Sequence, residues 1–314
     1  MIYKSAEATP GSGELDAIYD SCEATLNRQG AGAALAALTA QLDGIRARVN
    51  PCEWRALAKA RNHALFRRLH QDPYTAQAFK KPRGYAGDAH TLDFVYGHRD
   101  AIEASTPEGR DLCHVSTNVP IAAAVRARCA LVTAKIQATL RGKADATIVS
   151  VACGHMRELH GVDKELLAGA RIVGLDQDAE SIRALATIHS EKPPEGYVAA
   201  VRSVISGRTA IPQSDLIYAS GLYDYLPDEI AVRLTAQLSK WLAPGGVLLI
   251  PNLTPENDEI GYMEAIMDWW MVYRSVDDME RLIPPSTATA HPLTATSFVV
   301  SGGKVACLYI KRIP

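Results

Sequence analysis

No apolar run in the chain reaches the roughly 18 residues that a membrane-spanning helix requires, so no such helix is expected. Charge of one sign is also missing. Thirty-three Lys and Arg face 35 Asp and Glu, for a net charge of −2. That balance leaves no electrostatic footprint for nucleic acid or for an acidic membrane surface. Only four phenylalanines are present, a further small argument against stacking on nucleic acid. The six cysteines (Cys22, Cys52, Cys113, Cys129, Cys153 and Cys307) form no C-x-x-C pair, which sets aside a disulfide framework and a zinc site. No H-E-x-x-H pattern occurs, and His155 and His160, five apart, do not share a helical face; no metal is expected. The opening Met1-Ile2-Tyr3-Lys4-Ser5-Ala6-Glu7 lacks the apolar core of a signal peptide, so the expected location is the cytoplasm and the expected partner a small molecule.

What is present divides near residue 140. The first part reads as helical. Gly13 to Leu42 carries apolar residues at three- and four-residue spacing. Asn50-Pro51-Cys52-Glu53 is a helix start, with Asn as cap, Pro in the first position and Glu three residues after the cap, and this helix is expected to run towards His70. Lys80 to Asp88, with Pro82, Gly84 and Gly87, breaks the pattern and reads as a loop. Another helical pattern covers Val119 to Leu140.

Beyond residue 145 short apolar runs alternate with helical stretches. Ala146–Ala152, Ala170–Leu175, Tyr197–Val201, Leu216–Ala219 and Val247–Ile250 read as buried strands. Glu158–Leu167, Ala179–Ile188 and Asp228–Leu242 read as helices between them. Such alternation indicates a parallel sheet with crossover helices. Thr296–Ser301 and Val305–Lys311, joined by Ser301-Gly302-Gly303-Lys304, form a final hairpin.

Four segments carry the chemistry. Thr147–Val151 runs into Ala152-Cys153-Gly154-His155-Met156-Arg157-Glu158, a small-residue turn that lets a ligand approach the backbone. Arg171–Asp176 ends in an acid 22 residues past Gly154, suited to accept hydrogen bonds from ribose hydroxyls; Gln177 lies beside it, and Asp178 is the better helix cap. Ser214 to Leu226 is a strand running into a polar, aromatic loop with Ser220, Gly221, Tyr223, Asp224 and Tyr225. Leu242-Ala243-Pro244-Gly245-Gly246-Val247-Leu248-Leu249-Ile250 stops a helix and begins a buried strand.

Together with the hairpin, these segments resemble the class I S-adenosylmethionine-dependent methyltransferases over residues 145 to 314. The resemblance implies an α/β fold: a Rossmann-like, seven-stranded, mostly parallel sheet with a C-terminal antiparallel hairpin, preceded by a helical N-terminal lid domain. It implies domains at 1–140 and 141–314, and S-adenosylmethionine as methyl donor or as substrate. Two departures stand out. The family's usual acid at the start of the glycine loop is Ser150, and two of its glycines are Ala152 and Met156. Met156 is expected to narrow the space beside the methionine end of the cofactor. Lys81-Pro82-Arg83-Gly84-Tyr85-Ala86-Gly87-Asp88, Asp93-Phe94-Val95-Tyr96 and Ala124-Val125-Arg126-Ala127-Arg128 resemble a smaller group in that superfamily. Its members include makers of 3-hydroxypalmitic acid methyl ester, and it resembles the azetidine-2-carboxylate synthases. With that likeness the loop at 80–88 reads as a lid.

The resemblance distributes roles as follows. Arg83, Ala152, Cys153, Gly154, Met156, Asp176, Gln177, Ser203, Val204, Ser220 and Gly221 would hold the cofactor, with adenine near Arg202-Ser203-Val204. Tyr85, Asn118, Tyr223 and Asp224 would serve catalysis. The expected reaction is cyclisation of S-adenosylmethionine to azetidine-2-carboxylate with release of methylthioadenosine. That reaction requires a neutral amine oriented by groups such as Asn118, Tyr85 or Tyr223. Methyl transfer to a small or fatty-acyl acceptor is the alternative, with Asp224 or His114 as base where the acceptor is weakly acidic. A non-catalytic cofactor-binding protein is the third reading. Whether the helical part closes over the site or makes a homodimer stays open.

Overall fold

A computed structural model describes residues 12–59, 61–104, 106–285 and 291–314. The expectation about the first residues concerns a stretch outside these. In chain order the helices up to the sheet are α1 (Ser12–Gln29), α2 (Ala31–Arg48), α3 (Pro51–Leu57), α4 (Ala64–Leu69), α5 (Pro73–Lys80), α6 (Ala89–Val95), α7 (Pro107–Ser116) and α8 (Pro120–Gly142). Then come β1 (Thr147–Val151), α9 (Lys164–Leu167), β2 (Arg171–Asp176), α10 (Ala179–Ile188), β3 (Glu195–Val198), α11 (Val201–Ile205), β4 (Ser214–Tyr218), α12 (Asp228–Lys240) and β5 (Leu242–Leu253). The chain ends with α13 (Ile260–Ala265), α14 (Val276–Glu280), β6 (Leu293–Val300) and β7 (Val305–Arg312).

Two compact units result. One comprises residues up to Ala122 together with Asn257–Trp270; the other comprises Ala123–Glu256 and Met271–Pro314. The boundary expected at 140 is therefore corrected: most of α8 belongs with the sheet, and a segment that follows β5 belongs with the helices.

In the helical unit, the apolar pattern of Gly13 to Leu42 is two helices rather than one. Gly30 adopts φ +82° between them, a left-handed value that an L side chain resists. Asn50 caps α3, its side chain accepting from Cys52 and Glu53 N–H, each at 3.0 Å. The helix stops at Leu57 and a second starts at Ala64, so the run to His70 is interrupted. The 257–270 segment is bound to this unit through its acids. Glu264 accepts from Trp54 Nε1 at 2.6 Å and from Arg46 Nε at 2.8 Å. Asp43 on α2 accepts the Gly261 N–H at 2.6 Å. A Cβ on Gly261 would lie 2.8 Å from the α2 backbone, so only glycine permits this approach.

In the sheet unit, seven strands lie in the order β3-β2-β1-β4-β5-β7-β6. The pairs up to β5 are parallel, and β5–β7 and β7–β6 are antiparallel. β1, β2 and β4 are near-continuous apolar runs because both faces of a parallel sheet are covered. Val149, Val173, Ile217 and Leu248 meet Leu234, Leu238 and Ile310 in one core. β3 is shifted by two or three residues from the expected run, because Val201 already begins α11. The expected helix over Glu158–Leu167 is a tight 3₁₀ turn at Arg157–Gly161 followed by the single-turn α9. Gly161 abuts α8: a Cβ there would lie 2.9 Å from Thr133 Cγ2.

Candidate functional site at the carboxyl ends of the strands

The strand order reverses direction between β1 and β4: β2 and β3 are added on one side of β1, and β4 and β5 on the other. In open parallel sheets a crevice forms at such a switch point, outside the carboxyl ends of the strands, and ligands bind there. The loops after β1, β2 and β4 converge on this edge.

The loop after β1 holds three left-handed residues in alternation: Ala152 at φ +54°, Gly154 at +51° and Met156 at +48°. The energetic cost for the two non-glycine residues is of order 1–3 kcal/mol each and persists only where the surroundings enforce it. Those surroundings are visible. Cys153 N–H donates to Leu175 O at 2.9 Å, and Gly154 N–H donates to Asp176 Oδ2 at 2.8 Å. Asp176 Oδ1 accepts from Asp178 N–H at 2.9 Å, and its own carbonyl accepts from Ala199 N–H at 2.7 Å. Asp176, buried at the end of β2, therefore ties together the turns after β1, β2 and β3. Asp178 caps α10 through Glu180 and Ser181 N–H, as expected.

Met156 departs from expectation. Its side chain is 1% exposed, and its sulfur lies 3.1 Å from a Cβ built on Gly174, with Cys153 Sγ at 2.9 Å from the same point. Both sulfurs fill the space over β2 that Gly174 leaves open. Met156 thus packs into the sheet instead of narrowing a ligand space. Burial also pushes the Cys153 thiol well above its usual range, so this residue contributes backbone rather than thiolate chemistry.

After β4, Ser220 and Gly221 are partly exposed, and Gly221 adopts φ +104°. A Cβ on Gly221 would meet Arg128 Nη2 of α8 at 3.2 Å. Arg128 in turn donates to Asp224 Oδ2 at 2.7 Å, with side chains 3% and 2% exposed. Asp224 Oδ1 accepts from Leu253 N–H at 2.9 Å. Burial pushes the Asp224 carboxyl up, while Arg128 and the Leu253 amide oppose that rise. This acid is a pin between α8, the β4 loop and the end of β5, which corrects its reading as a general base. Tyr223 is corrected too: fully buried, its hydroxyl lies 3.0 Å from Thr235 Oγ1 of α12 and cannot orient a ligand amine. Arg274 clamps the same loop, donating to the carbonyls of Tyr223 at 2.7 Å and Leu226 at 2.6 Å.

Of the residues assigned to adenine, Ser203 is partly exposed and donates to Ala200 O at 2.8 Å. Val204 is 1% exposed within the core, so its side chain faces away from solvent. Gln177 is exposed beside Asp176. Arg83, Tyr85 and Asn118 belong to the helical unit. Arg83 and Tyr85 lie in the turn that Lys81 (φ +49°) and Gly84 (φ +91°) shape after α5, and Asp88, fully buried, caps α6. Asn118 is exposed and donates to His114 O at 2.8 Å.

Two residues at the edge were not assigned a role from sequence. Tyr218, the last residue of β4, is fully buried and lies opposite Ser150 in the β1–β4 register. Its hydroxyl donates to Glu158 Oε1 at 2.6 Å. The Glu158 carbonyl accepts from Thr133 Oγ1 at 2.8 Å, which fixes the 3₁₀ turn to α8. The signal was a tyrosine ending a buried strand across from Ser150, with an acid shortly after the glycine turn.

Neither a family model nor a curated protein matches the chain. Solved structures do. A possible exported protein from Bordetella parapertussis aligns over the full length of both chains, with 17% identity and a TM-score of 0.61. Magnesium protoporphyrin IX methyltransferase from Synechocystis PCC 6803, with bound SAM, aligns over 62% of this chain and 82% of its own, at 12% identity and a TM-score of 0.42. N-methyltransferase NodS from Bradyrhizobium japonicum WM9, in complex with S-adenosyl-L-homocysteine, aligns over 60% and 86%, at 15% identity and a TM-score of 0.39. The seven-stranded sheet, parallel up to β5 and closed by a reversed final hairpin, has a Rossmann-like α/β fold. No helix among the described residues is long and apolar enough to cross a membrane.

Proposed function

We propose that the chain is an S-adenosylmethionine-dependent enzyme that transfers a methyl group to a small-molecule acceptor. The observation that carries this reading is the Gly154–Asp176 hydrogen bond at the switch point of the sheet. It holds a small-residue turn and an acid side by side at the carboxyl ends of β1 and β2, where an open parallel sheet takes a nucleoside. The residues fit such a ligand. Gly154 and Gly221 both take left-handed values, and neither places a side chain over the strand ends. The small-residue turn at 152–156 would lie against the methionine end of the ligand, Asp176 would hold the ribose, and the Ala200–Ser203 turn the adenine.

When bound, the sulfonium supplies an electrophilic methyl carbon, and alignment supplies much of the acceleration. The chain's own groups position rather than take protons. Asp224 is held by Arg128 and the Leu253 amide. An acceptor that is already a carboxylate or a neutral nucleophile suits such a site, because it needs no strong base.

Cyclisation of S-adenosylmethionine to azetidine-2-carboxylate is the second reading, favoured by the same lack of demand for an external base. Its support from Met156 is withdrawn, since that side chain packs over β2. Incubation of purified protein with S-adenosylmethionine alone separates the readings. Methylthioadenosine and a four-membered imino acid would establish cyclisation. S-adenosylhomocysteine that appears only with an acceptor would establish methyl transfer. Binding without turnover would leave a regulatory protein. Thermal stabilisation by NAD but not by S-adenosylhomocysteine would overturn the cofactor assignment.

A further inference from the structure

The two edges of the sheet are built differently. At one edge, β3 is only four residues long and directly follows Pro193 and Pro194. Glu195 on it accepts from Arg171 of β2 through Nε and Nη2, each at 2.8 Å, and from the Tyr197 hydroxyl at 3.2 Å. Brevity, proline and charge keep an exposed edge from pairing with another chain. At the other edge, β6 has none of these. Its eight residues, Leu293 to Val300, include no charge and no proline. Its register with β7 runs without a bulge from Leu293–Arg312 to Val300–Val305. Threonine, phenylalanine and valine make up five of the eight, and these types favour an extended strand.

No strand among the described residues pairs with the outer side of β6. Every second residue of such a strand turns its N–H and C=O away from its one neighbour. α14 packs on one face, where Ser297 Oγ donates to Glu280 Oε1 at 2.7 Å. Thr294, Ala295, Thr296 and Val299 nevertheless remain exposed. Apolar surface gathers at this end of the sheet as well. Of the six large hydrophobic residues exposed among the described residues, Val299 lies on β6 and Ile283 shortly follows α14. A third, Ile313, donates its N–H to Pro292 O, just before β6 begins.

We infer that β6 is the interface of a homodimer, in which the strand pairs antiparallel with β6 of a second copy about a two-fold axis. A second copy is the occupant this edge matches. Antiparallel pairing of a strand with itself is isologous and closes at two. An axis through Thr296 sets Leu293 opposite Val299 of the second copy, Thr294 opposite Phe298 and Ala295 opposite Ser297. The members of each pair lie on the same face, because an even number of residues separates them along the strand. No pair sets like charges against each other, and a net charge of −2 adds little repulsion between copies. A charged peptide would find no counter-charge along this edge. β6 lies three strands from β4, roughly 14 Å at the usual spacing, so pairing there leaves the crevice at the β1–β4 switch point uncovered.

Light scattering of the wild-type chain at micromolar concentration should give twice the chain mass. Thr296→Lys and Thr296→Glu each set like charges beside the axis. Each variant should be monomeric and keep the far-ultraviolet circular dichroism of the wild type. An equimolar mixture of the two should recover the dimer, because lysine then meets glutamate across the axis. A variant that failed to fold could not give this recovery. A monomeric wild type, a wild type that grows into open-ended assemblies, or either variant alone remaining dimeric would overturn the inference. So would a mixture that stays monomeric. Hydrogen exchange needs no substitution: the amides of 293–300 should lose protection as the wild type is diluted, and protection independent of concentration would overturn the inference. No readout requires a ligand, so the outcome is separate from that of the functional reading.

Discussion

Gly154 donates its backbone N–H to Asp176 Oδ2 at 2.8 Å, joining the turn after β1 to the last residue of β2. The carboxylate accepts a second N–H from Asp178 on its other oxygen. An amide in the same place has one oxygen and two N–H groups, so it must set a donor against a donor. Asp176→Asn should therefore disturb the loop that presents Gly154 as well as the ribose contact. S-adenosylhomocysteine binding is expected to fall by a factor of ten or more on the order of a charged hydrogen bond lost, measured by calorimetry. Unchanged affinity would show that Asp176 is a structural tie alone.

Gly174 offers an independent handle on the same loop. Its missing side chain accommodates Cys153 Sγ and Met156 Sδ, which would lie 2.9 and 3.1 Å from a Cβ. Gly174→Ala should overpack the space and cost about 1–3 kcal/mol, read by urea denaturation. Combining it with Met156→Ala, which vacates part of that space, should recover some of the loss. A fully additive double variant would mean that the two side chains do not share the space.

Much of this site was legible because strand, turn and acid are local features. Thr147–Val151, Gly154 and Asp176 announce themselves through apolar runs and spacing, and the Asn50 and Asp178 caps follow from residue type and position. The direction in which a side chain faces does not follow from spacing. Met156 and Tyr223 read as ligand-facing because they flank the loops. Their burial depends on Gly174 and Thr235, one in another strand and the other in another helix. Asp224 read as a base for the same reason, and only the fold brings Arg128 to it across 96 residues. The unit boundary was hidden likewise, since nothing local in Asn257–Trp270 says that it belongs with helices two hundred residues earlier.

The Arg128–Asp224 pair makes a sharper prediction. Both side chains are almost fully buried, and removing one partner leaves the other charge uncompensated, at a cost of about 3–5 kcal/mol. Arg128→Met and Asp224→Asn should each destabilise by an amount in this range, while the double variant should lose less than the sum. The measurement is a double-mutant cycle in denaturant. If Asp224 were instead a general base, Asp224→Asn would abolish turnover with little change in stability, and the cycle would show no coupling.

Two carboxylates of the helical unit should give opposite responses to pH. Asp268 accepts from Arg61 Nη2 at 2.8 Å, Trp270 Nε1 at 2.9 Å and Lys81 Nζ. Burial acts to raise its carboxyl, but these donors together outweigh it and hold the group at about 2. Its folded value lies below the unfolded one of about 3.9, so its contribution is present above that value and is lost as pH falls towards 2. Asp43 behaves in the reverse sense. Burial raises it to about 7, against the Gly261 N–H and Arg46, with Glu259 and Asp258 adding to the rise. Oδ1 accepts the Gly261 N–H, but Oδ2 is buried without a hydrogen-bond partner. Here the folded state holds the proton more tightly than the unfolded chain. The resulting stability is full below about pH 4 and declines as pH rises to about 7, where both states are ionised. Asp43→Asn keeps an acceptor for Gly261 and removes the titration. Melting temperature followed from pH 4.5 to 8 should therefore fall less steeply in Asp43→Asn than in the wild type, with the variant the more stable of the two above about pH 7. Parallel curves for the two proteins would mean that Asp43 is ionised throughout and that α2 and Gly261 are joined by an ordinary carboxylate.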